Sequence, residues 1–238
     1  MVSVNEFNVE LFADGADLEG MLEMYSKPYI KGLTTNPTLM KKAGITDYTA
    51  FAREVLDRIS DKPISFEVFS DELSEMLIQA RKISNWGENV FVKIPVTNTR
   101  RESTASIVKT LASEGVKVNV TALMTVEQVK TISDALNPSV PSNVSIFAGR
   151  IADTGLDPIS IMKNSIEVVK SNTNCKIIWA SPRELLNVFQ ANEIGCHIIT
   201  ATNDILKKLS LVGKDLGTYS LETVEMFYKD ATAAGYSI

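Results

Sequence analysis

Short runs of β-branched and aromatic residues recur along the chain, each followed by a longer stretch with apolar residues at helical spacing. The runs are 9–13, closed by Asp14, then 29–35, 64–69, 90–95, 116–121, 144–148, 176–180 and 197–201. Several are almost continuously apolar, as expected of strands buried on both faces. Between them, residues 48–59 set Phe51, Val55, Leu56 and Ile59 on one helical face. Residues 73–83, 107–111, 126–136, 159–169, 185–191 and 205–211 read as helices in the same way, and 221–234 follow as a last helical segment.

About eight β-then-α units in 238 residues predict a (β/α)₈ barrel. The competing architecture, an open doubly wound sheet, usually carries a glycine-rich phosphate turn after its first strand. Neither G-x-G-x-x-G nor G-x-x-x-x-G-K-[ST] occurs. No Pro/Gly/Ser-rich linker divides the chain, so residues 1–238 read as one domain, with 219–238 as a helical tail.

Composition narrows the function classes. Apolar residues make up 45% and charged residues 22%, which excludes disordered and collagen-like classes. The net charge is −5 with no basic run, so no nucleic-acid partner is expected. Cys175 and Cys196 lie far apart, and His197 is the one histidine. That argues against a disulfide framework, a metal site or a histidine-based triad. Residues 1–6 lack the pattern of a signal peptide, and no apolar run is long enough to cross a bilayer. The expected compartment is the cytosol, with no membrane partner.

Polar residues inside apolar runs carry the candidate chemistry. Lys93 sits within Val90-Phe91-Val92-Lys93-Ile94-Pro95. A buried, partly neutral amine can condense with a carbonyl as a Schiff base; the plainer reading is a structural ion pair. Glu67 is the partner under the second reading and a general acid/base under the first. Asp14 closes the first run, where an N-cap for the next helix is the commoner role. Asn119 and Thr121 share a face of one strand, with Val118 and Val120 opposite. They fit a hydroxylated ligand, or buried polar groups satisfied by water. Ser145, Phe147 and Arg150 close the sixth unit. Ser181-Pro182-Arg183-Glu184 has the form of a capping box with Pro at the first helical position. Arg183 would then lie in a first helical turn, where a cation is disfavoured unless an anion binds. Arg150 is otherwise a surface arginine, and His197, Trp86 and Trp179 read as structural.

Five stretches carry a family resemblance: Leu11-Phe12-Ala13-Asp14, Gly32-Leu33-Thr34-Thr35-Asn36-Pro37-Thr38, Val92-Lys93-Ile94-Pro95-Val96-Thr97, Val118-Asn119-Val120-Thr121 and Ser145-Ile146-Phe147-Ala148-Gly149-Arg150-Ile151. In these the chain resembles the transaldolase family, particularly its small-subunit branch with fructose-6-phosphate aldolase. The resemblance implies a (β/α)₈ barrel without cofactor or metal, with Lys93 as the Schiff-base lysine on the fourth strand. It implies Asp14 as the proton carrier at the substrate C4 hydroxyl, and Glu67 acting through a water with Thr121. Thr34, Asn36, Asn119, Ser145 and Phe147 fall at substrate-binding positions, and Arg150, Ser181 and Arg183 at the phosphate site. Glu67, Asn119 and Phe147 follow the transaldolase pattern; fructose-6-phosphate aldolase has Gln at the first. The expected activity is transfer of a dihydroxyacetone unit from a ketose phosphate to an aldose phosphate. The alternatives are an aldolase releasing free dihydroxyacetone and an inactive phosphosugar-binding protein. Trp179-Ala180-Ser181-Pro182-Arg183-Glu184 departs from the family's usual A-S-F-[KR], which implies an altered phosphate loop. The branch also implies a homo-oligomer, a pentamer or decamer, with the tail reaching a neighbour.

Overall fold

A computed structural model describes residues 7–236; the reading of the N-terminal six residues lies outside them. Eight parallel strands close into a barrel in chain order. They are β1 (Glu10–Asp14), β2 (Ile30–Thr34), β3 (Ile64–Glu67), β4 (Val90–Pro95), β5 (Val118–Leu123), β6 (Ser142–Ile146), β7 (Cys175–Trp179) and β8 (Ile198–Thr202). The chain therefore has the (β/α)₈ architecture expected of its pattern.

Eleven α-helices lie among the described residues: α1 (Leu18–Tyr25), α2 (Pro37–Lys42), α3 (Tyr48–Arg58), α4 (Leu73–Ser84), α5 (Ala105–Ser113), α6 (Val126–Ser133), α7 (Ala148–Ala152), α8 (Ile159–Val169), α9 (Leu186–Glu193), α10 (Asn203–Lys207) and α11 (Leu216–Ala233). Their starts follow local chemistry. Asp17 caps α1 by accepting from the Gly20 N–H at 2.8 Å, and Asp47 caps α3 through Ala50 at 2.9 Å. Thr125 and Gln128 form a reciprocal capping box on α6. Helices α1, α2 and α7 lack a predicted counterpart, being too short for a clear apolar period. Predicted helix 205–211 divides into α10 and a 3₁₀ turn at Lys208–Leu211. The last helix starts at Leu216, earlier than its apolar residues indicate, because Asp215 accepts from the Thr218 N–H at 2.8 Å.

Side-chain alternation divides the strands into two environments. Val92, Ile94, Val118, Val120, Ile177 and Trp179 join the large core between strands and helices. Phe12, Ile178, Ala180 and Ile198 form a smaller cluster inside the barrel, with Phe147 against it. Gly32 belongs to this interior layer. A Cβ there would stand 2.4 Å from the Phe12 ring, so the aromatic ring occupies the space a side chain on β2 would need.

Above this layer the interior turns polar. Ser145 donates to Asn119 Oδ1 at 2.7 Å, and Asn119 Nδ2 donates to Ser65 Oγ at 3.0 Å. This chain links β6, β5 and β3 with every member buried. Asn119 and Thr121 face inward as their spacing predicts, while Val118 and Val120 face the helices.

Candidate active site

The strands' C-terminal ends surround a cavity of about 580 Å³. Asp14, Thr34, Asn36, Glu67, Lys93, Thr121, Ser145, Phe147, Arg150, Ser181 and Arg183 all line it. Asn119 is the one expected site residue beneath the lining. It stands two residues before Thr121 on β5, one layer deeper, where the Ser65 and Ser145 hydroxyls fix its amide.

Lys93 is the centre of this arrangement. Its side chain is 8% exposed, its amine lies 3.2 Å from Glu67 Oε2, and it donates to the Thr35 carbonyl at 2.9 Å. Both readings of Lys93 thus have geometric support: it is ion-paired, and the pair opens onto the cavity.

Asp14 ends β1 with its carboxylate held from two sides. Thr34 Oγ1 donates to it at 2.8 Å and Asn36 Nδ2 at 3.2 Å. Burial raises its pKa above the ordinary aspartate value, against the lowering influence of the Lys93 charge and the Thr34 and Asn36 hydrogen bonds. The helix-cap reading of Asp14 is therefore wrong. Asp17 caps α1, and Asp14 is left to the cavity. Asn36 does both jobs: its Oδ1 accepts from the Leu39 N–H at 2.9 Å to cap α2, while its amide nitrogen faces Asp14.

On β5 the register shifts after Val120, and Ala122 adopts φ 65°, a left-handed conformation unfavourable for a residue with a Cβ. Bulges of this kind re-aim side chains at barrel rims. Thr121, next to the bulge, is 2% exposed, and its hydroxyl has no hydrogen-bond partner among the described residues.

The capping box read into Ser181–Glu184 is also overturned. Ser181 has φ 59°, and α9 begins only at Leu186, behind Leu185 with no side-chain cap. The Arg183 and Glu184 N–H groups donate instead to Asn187 Oδ1, at 2.8 and 3.2 Å. Arg183 is thus outside the helix, and the dipole argument for an anion there falls. Its guanidinium is engaged by Asp153, with Nε 3.0 Å from Oδ1 and a second bond from Nη2 to Oδ2. Arg150 is exposed at the rim. Gly149 holds these two segments together: a Cβ on it would stand 1.6 Å from the Ser181 carbonyl oxygen.

Some groups near the cavity have no counterpart among the expected residues, Thr200, Asp204 and Asp153 among them. Thr200 meets the Thr34 hydroxyl at 2.5 Å; a polar residue inside the apolar run of β8 was its available signal. Asp204 lines the rim from the first turn of α10, where an acidic residue reads as ordinary dipole compensation. Asp153 gave no signal, because its partner lies thirty residues away in sequence.

The remaining candidates are structural. His197 Nδ1 accepts from the Ile177 N–H at 3.0 Å, and burial lowers its pKa. Burial pushes the Cys175 and Cys196 thiols up to about 11 and about 12, which makes them poor nucleophiles. Among the described residues no cluster of three His, Cys, Asp or Glu could hold a metal, and no helix is long and apolar enough to cross a membrane.

Comparison with known proteins gives the family of the chain. Residues 11–238 match the family described as Transaldolase/Fructose-6-phosphate aldolase. The chain is 32% identical to a "Probable transaldolase" of Dehalococcoides mccartyi over 84% of its own length and 90% of that protein. It is 35% identical to a "Probable transaldolase" of Clostridium acetobutylicum, covering 84% and 89% respectively. A "Probable transaldolase 2" of Listeria monocytogenes is 33% identical, covering 84% and 88%.

Proposed function

Because the chain belongs to the Transaldolase/Fructose-6-phosphate aldolase family, we propose that it is a transaldolase moving a dihydroxyacetone unit between sugar phosphates through a Schiff base on Lys93. The observation that carries this reading is the buried Lys93 amine, 3.2 Å from Glu67 and electrostatically coupled to Asp14, at the mouth of the barrel.

Lys93 adds to C2 of a ketose phosphate such as fructose 6-phosphate or sedoheptulose 7-phosphate. Glu67, relayed by a water held at the Thr121 hydroxyl, takes the proton that the Lys93 ammonium must lose before it adds, and returns it as the carbinolamine oxygen leaves as water. Asp14 then takes the proton of the C4 hydroxyl. The C3–C4 bond electrons flow into the iminium, the aldose phosphate departs, and an enamine remains on Lys93. On an incoming aldehyde, C3 of the enamine attacks, Asp14 returns its proton to the new C4 oxygen, and water hydrolyses the iminium. Burial suits Asp14 to this work, since a carboxylate with a raised pKa is the stronger base. Thr34, Asn36, Asn119, Ser145 and Phe147 shape the site around the ketose hydroxyls. Arg150, with Ser181 and Arg183, receives the phosphate; the hold of Asp153 on Arg183 leaves Arg150 as the freer cation.

The direct test is incubation with fructose 6-phosphate, borohydride reduction and peptide mass analysis. The expected result is a dihydroxyacetone-sized adduct on the Lys93 peptide; an unmodified chain with every ketose phosphate tried would overturn the reading. Glu67→Gln is expected to lower transfer and raise release of free dihydroxyacetone, by impairing the acid/base relay. The ratio of the two products, measured with and without an aldose phosphate acceptor, checks it, and an unchanged ratio would remove the role given to Glu67.

We read the barrel and tail as one domain of a cytosolic homo-oligomer working in pentose phosphate chemistry. Helix α11 supports the oligomer. It runs 18 residues with none buried, and Leu221, Val224 and Tyr228 form an exposed apolar stripe at i, i+3, i+7. A helix of this length gains most of its stability from packing, so a neighbouring subunit is the natural cover. Replacing Leu221 and Val224 together by Glu is expected to reduce the native mass from a ring of five or ten subunits to the monomer. Native mass spectrometry checks this, and a parent already monomeric would sink the assignment.

A further inference from the structure

Strands β2 and β3 stop pairing just where the site begins. Their register covers Leu33 with Ile64 and Thr34 with Ser65. Leu33 N–H donates to the Pro63 carbonyl at 2.9 Å and Thr35 N–H to the Ser65 carbonyl at 3.2 Å. In a parallel ladder the next bond would run from the Glu67 N–H to the Thr35 carbonyl. It does not form. The Thr35 carbonyl accepts from Lys93 Nζ at 2.9 Å, and the Glu67 N–H donates to the Tyr48 phenol oxygen at 2.7 Å. The same phenol donates back to the Glu67 carbonyl at 3.2 Å.

We propose that Tyr48 is a positioning residue for the lysine–glutamate pair: its phenol replaces β2 as the partner of the Glu67 backbone and so frees the Thr35 carbonyl to hold the Lys93 amine. The inference rests on the transaldolase reading for its kinetic consequence, and on the hydrogen bonds alone for its structural one.

The surroundings make the phenol a fixed partner. Tyr48 opens α3, whose first turn Asp47 caps. Its ring lies 5.4 Å from Trp86, 4.5 Å from Phe69 and 6.1 Å from Phe66, centroid to centroid. Two of these contacts are edge-to-face, a favourable arrangement of aromatic quadrupoles. Burial raises the phenol pKa, so the hydroxyl keeps its proton and can accept from the Glu67 N–H while donating to the Glu67 carbonyl. Without the hydroxyl, the Glu67 N–H would be left unpaired in a half-buried position, which is costly. The ladder partner it would then take is the Thr35 carbonyl, which would divide its lone pairs between the Glu67 N–H and the Lys93 amine and shift the amine from its present seat.

Tyr48→Phe removes the hydroxyl and keeps the ring. Turnover normalised to the fraction of chains whose Lys93 is trapped by borohydride is expected to fall about tenfold, with KM within about twofold, because misplacing a reacting group lowers the chemical step. Phe69→Leu loosens the same aromatic cluster without touching the hydrogen bonds, and is expected to leave normalised turnover unchanged. A merely structural tyrosine would lower the melting temperature or the trappable fraction but not the turnover per trapped site. Unchanged normalised turnover in Tyr48→Phe, or an equal loss in Phe69→Leu, would overturn the proposal. If the parent forms no adduct with any ketose phosphate, the transaldolase reading fails by itself. The hydrogen-bond exchange is then decided by the rate of Lys93 acylation with acetic anhydride at fixed pH. A different rate in Tyr48→Phe supports the exchange; equal rates refute it.

Discussion

Replacing Lys93 by alanine is expected to abolish borohydride trapping and to lower sugar transfer by roughly 10⁴-fold or more, the scale seen when a covalent nucleophile is removed. Neighbouring groups cannot substitute. Glu67 and Asp14 are carboxylates, and among the described residues no second amine lines the cavity. The substitution also changes charge, since Lys93 opposes the effect of burial on Asp14. Without that cation the Asp14 carboxyl protonates more readily, and Glu67 is left without its partner. Lys93→Arg separates the two effects. It keeps a cation near the carboxylates, yet a guanidinium is always protonated and forms no Schiff base. Both variants are therefore expected to be inactive, with Lys93→Arg the more stable in thermal unfolding at neutral pH. Appreciable transfer by Lys93→Arg, measured with fructose 6-phosphate and an aldose phosphate acceptor, would show that the role of Lys93 is electrostatic rather than covalent.

Asp14→Asn is expected to cost about 10³-fold in turnover while leaving binding largely intact, as for loss of a group acting as general base and acid in the same cycle. Trapping separates the steps. The first Schiff base forms without Asp14, so the adduct on Lys93 should carry the whole ketose phosphate rather than its three-carbon fragment. A three-carbon adduct at the parental rate would remove Asp14 from the cleavage step. Stability moves the other way. The Asp14 pKa is raised in the folded chain. A carboxyl of this kind contributes its full share below the unfolded value, near 3.8, and loses it as pH rises through the folded value. Asn does not titrate. Asp14→Asn should therefore melt higher than the parent at neutral pH, and the gap should close as the pH falls towards that of an ordinary aspartate. The parent's acidic activity limb should lie above the ordinary aspartate range for the same reason.

Several parts of this picture were legible in the order of residues, and particular residues show why. Lys93 stood out because a charged amine within an apolar strand needs a specific partner. Asn119 and Thr121 were placed on one face by strand geometry alone. Thr200 carries the same kind of signal, a polar residue in the run of β8. The two cap readings failed because a capping pattern is local while its outcome is not. Asp14 lost its cap role to Asp17, three residues on. Ser181 lost its role because Asn187 takes the free N–H groups, with Gly149 pressed against the Ser181 carbonyl. The tail was visible as a helix, but its lack of any buried face appears only against the finished barrel.

Residue order alone encodes the repeating β-then-α succession, the inward and outward faces of the strands, and the polar positions on several inward faces. These follow from period and polarity, which act between near neighbours in the chain. Which of the cavity's groups touch was left to the closed barrel. The Lys93–Glu67 contact, the grip of Thr34 and Asn36 on Asp14, the Asp153 hold on Arg183 and the Tyr48 phenol in the β2–β3 seam join residues brought close by barrel closure. A backbone N–H released by one strand can be claimed by any acceptor that packing delivers, and the pattern of the chain does not encode which one arrives.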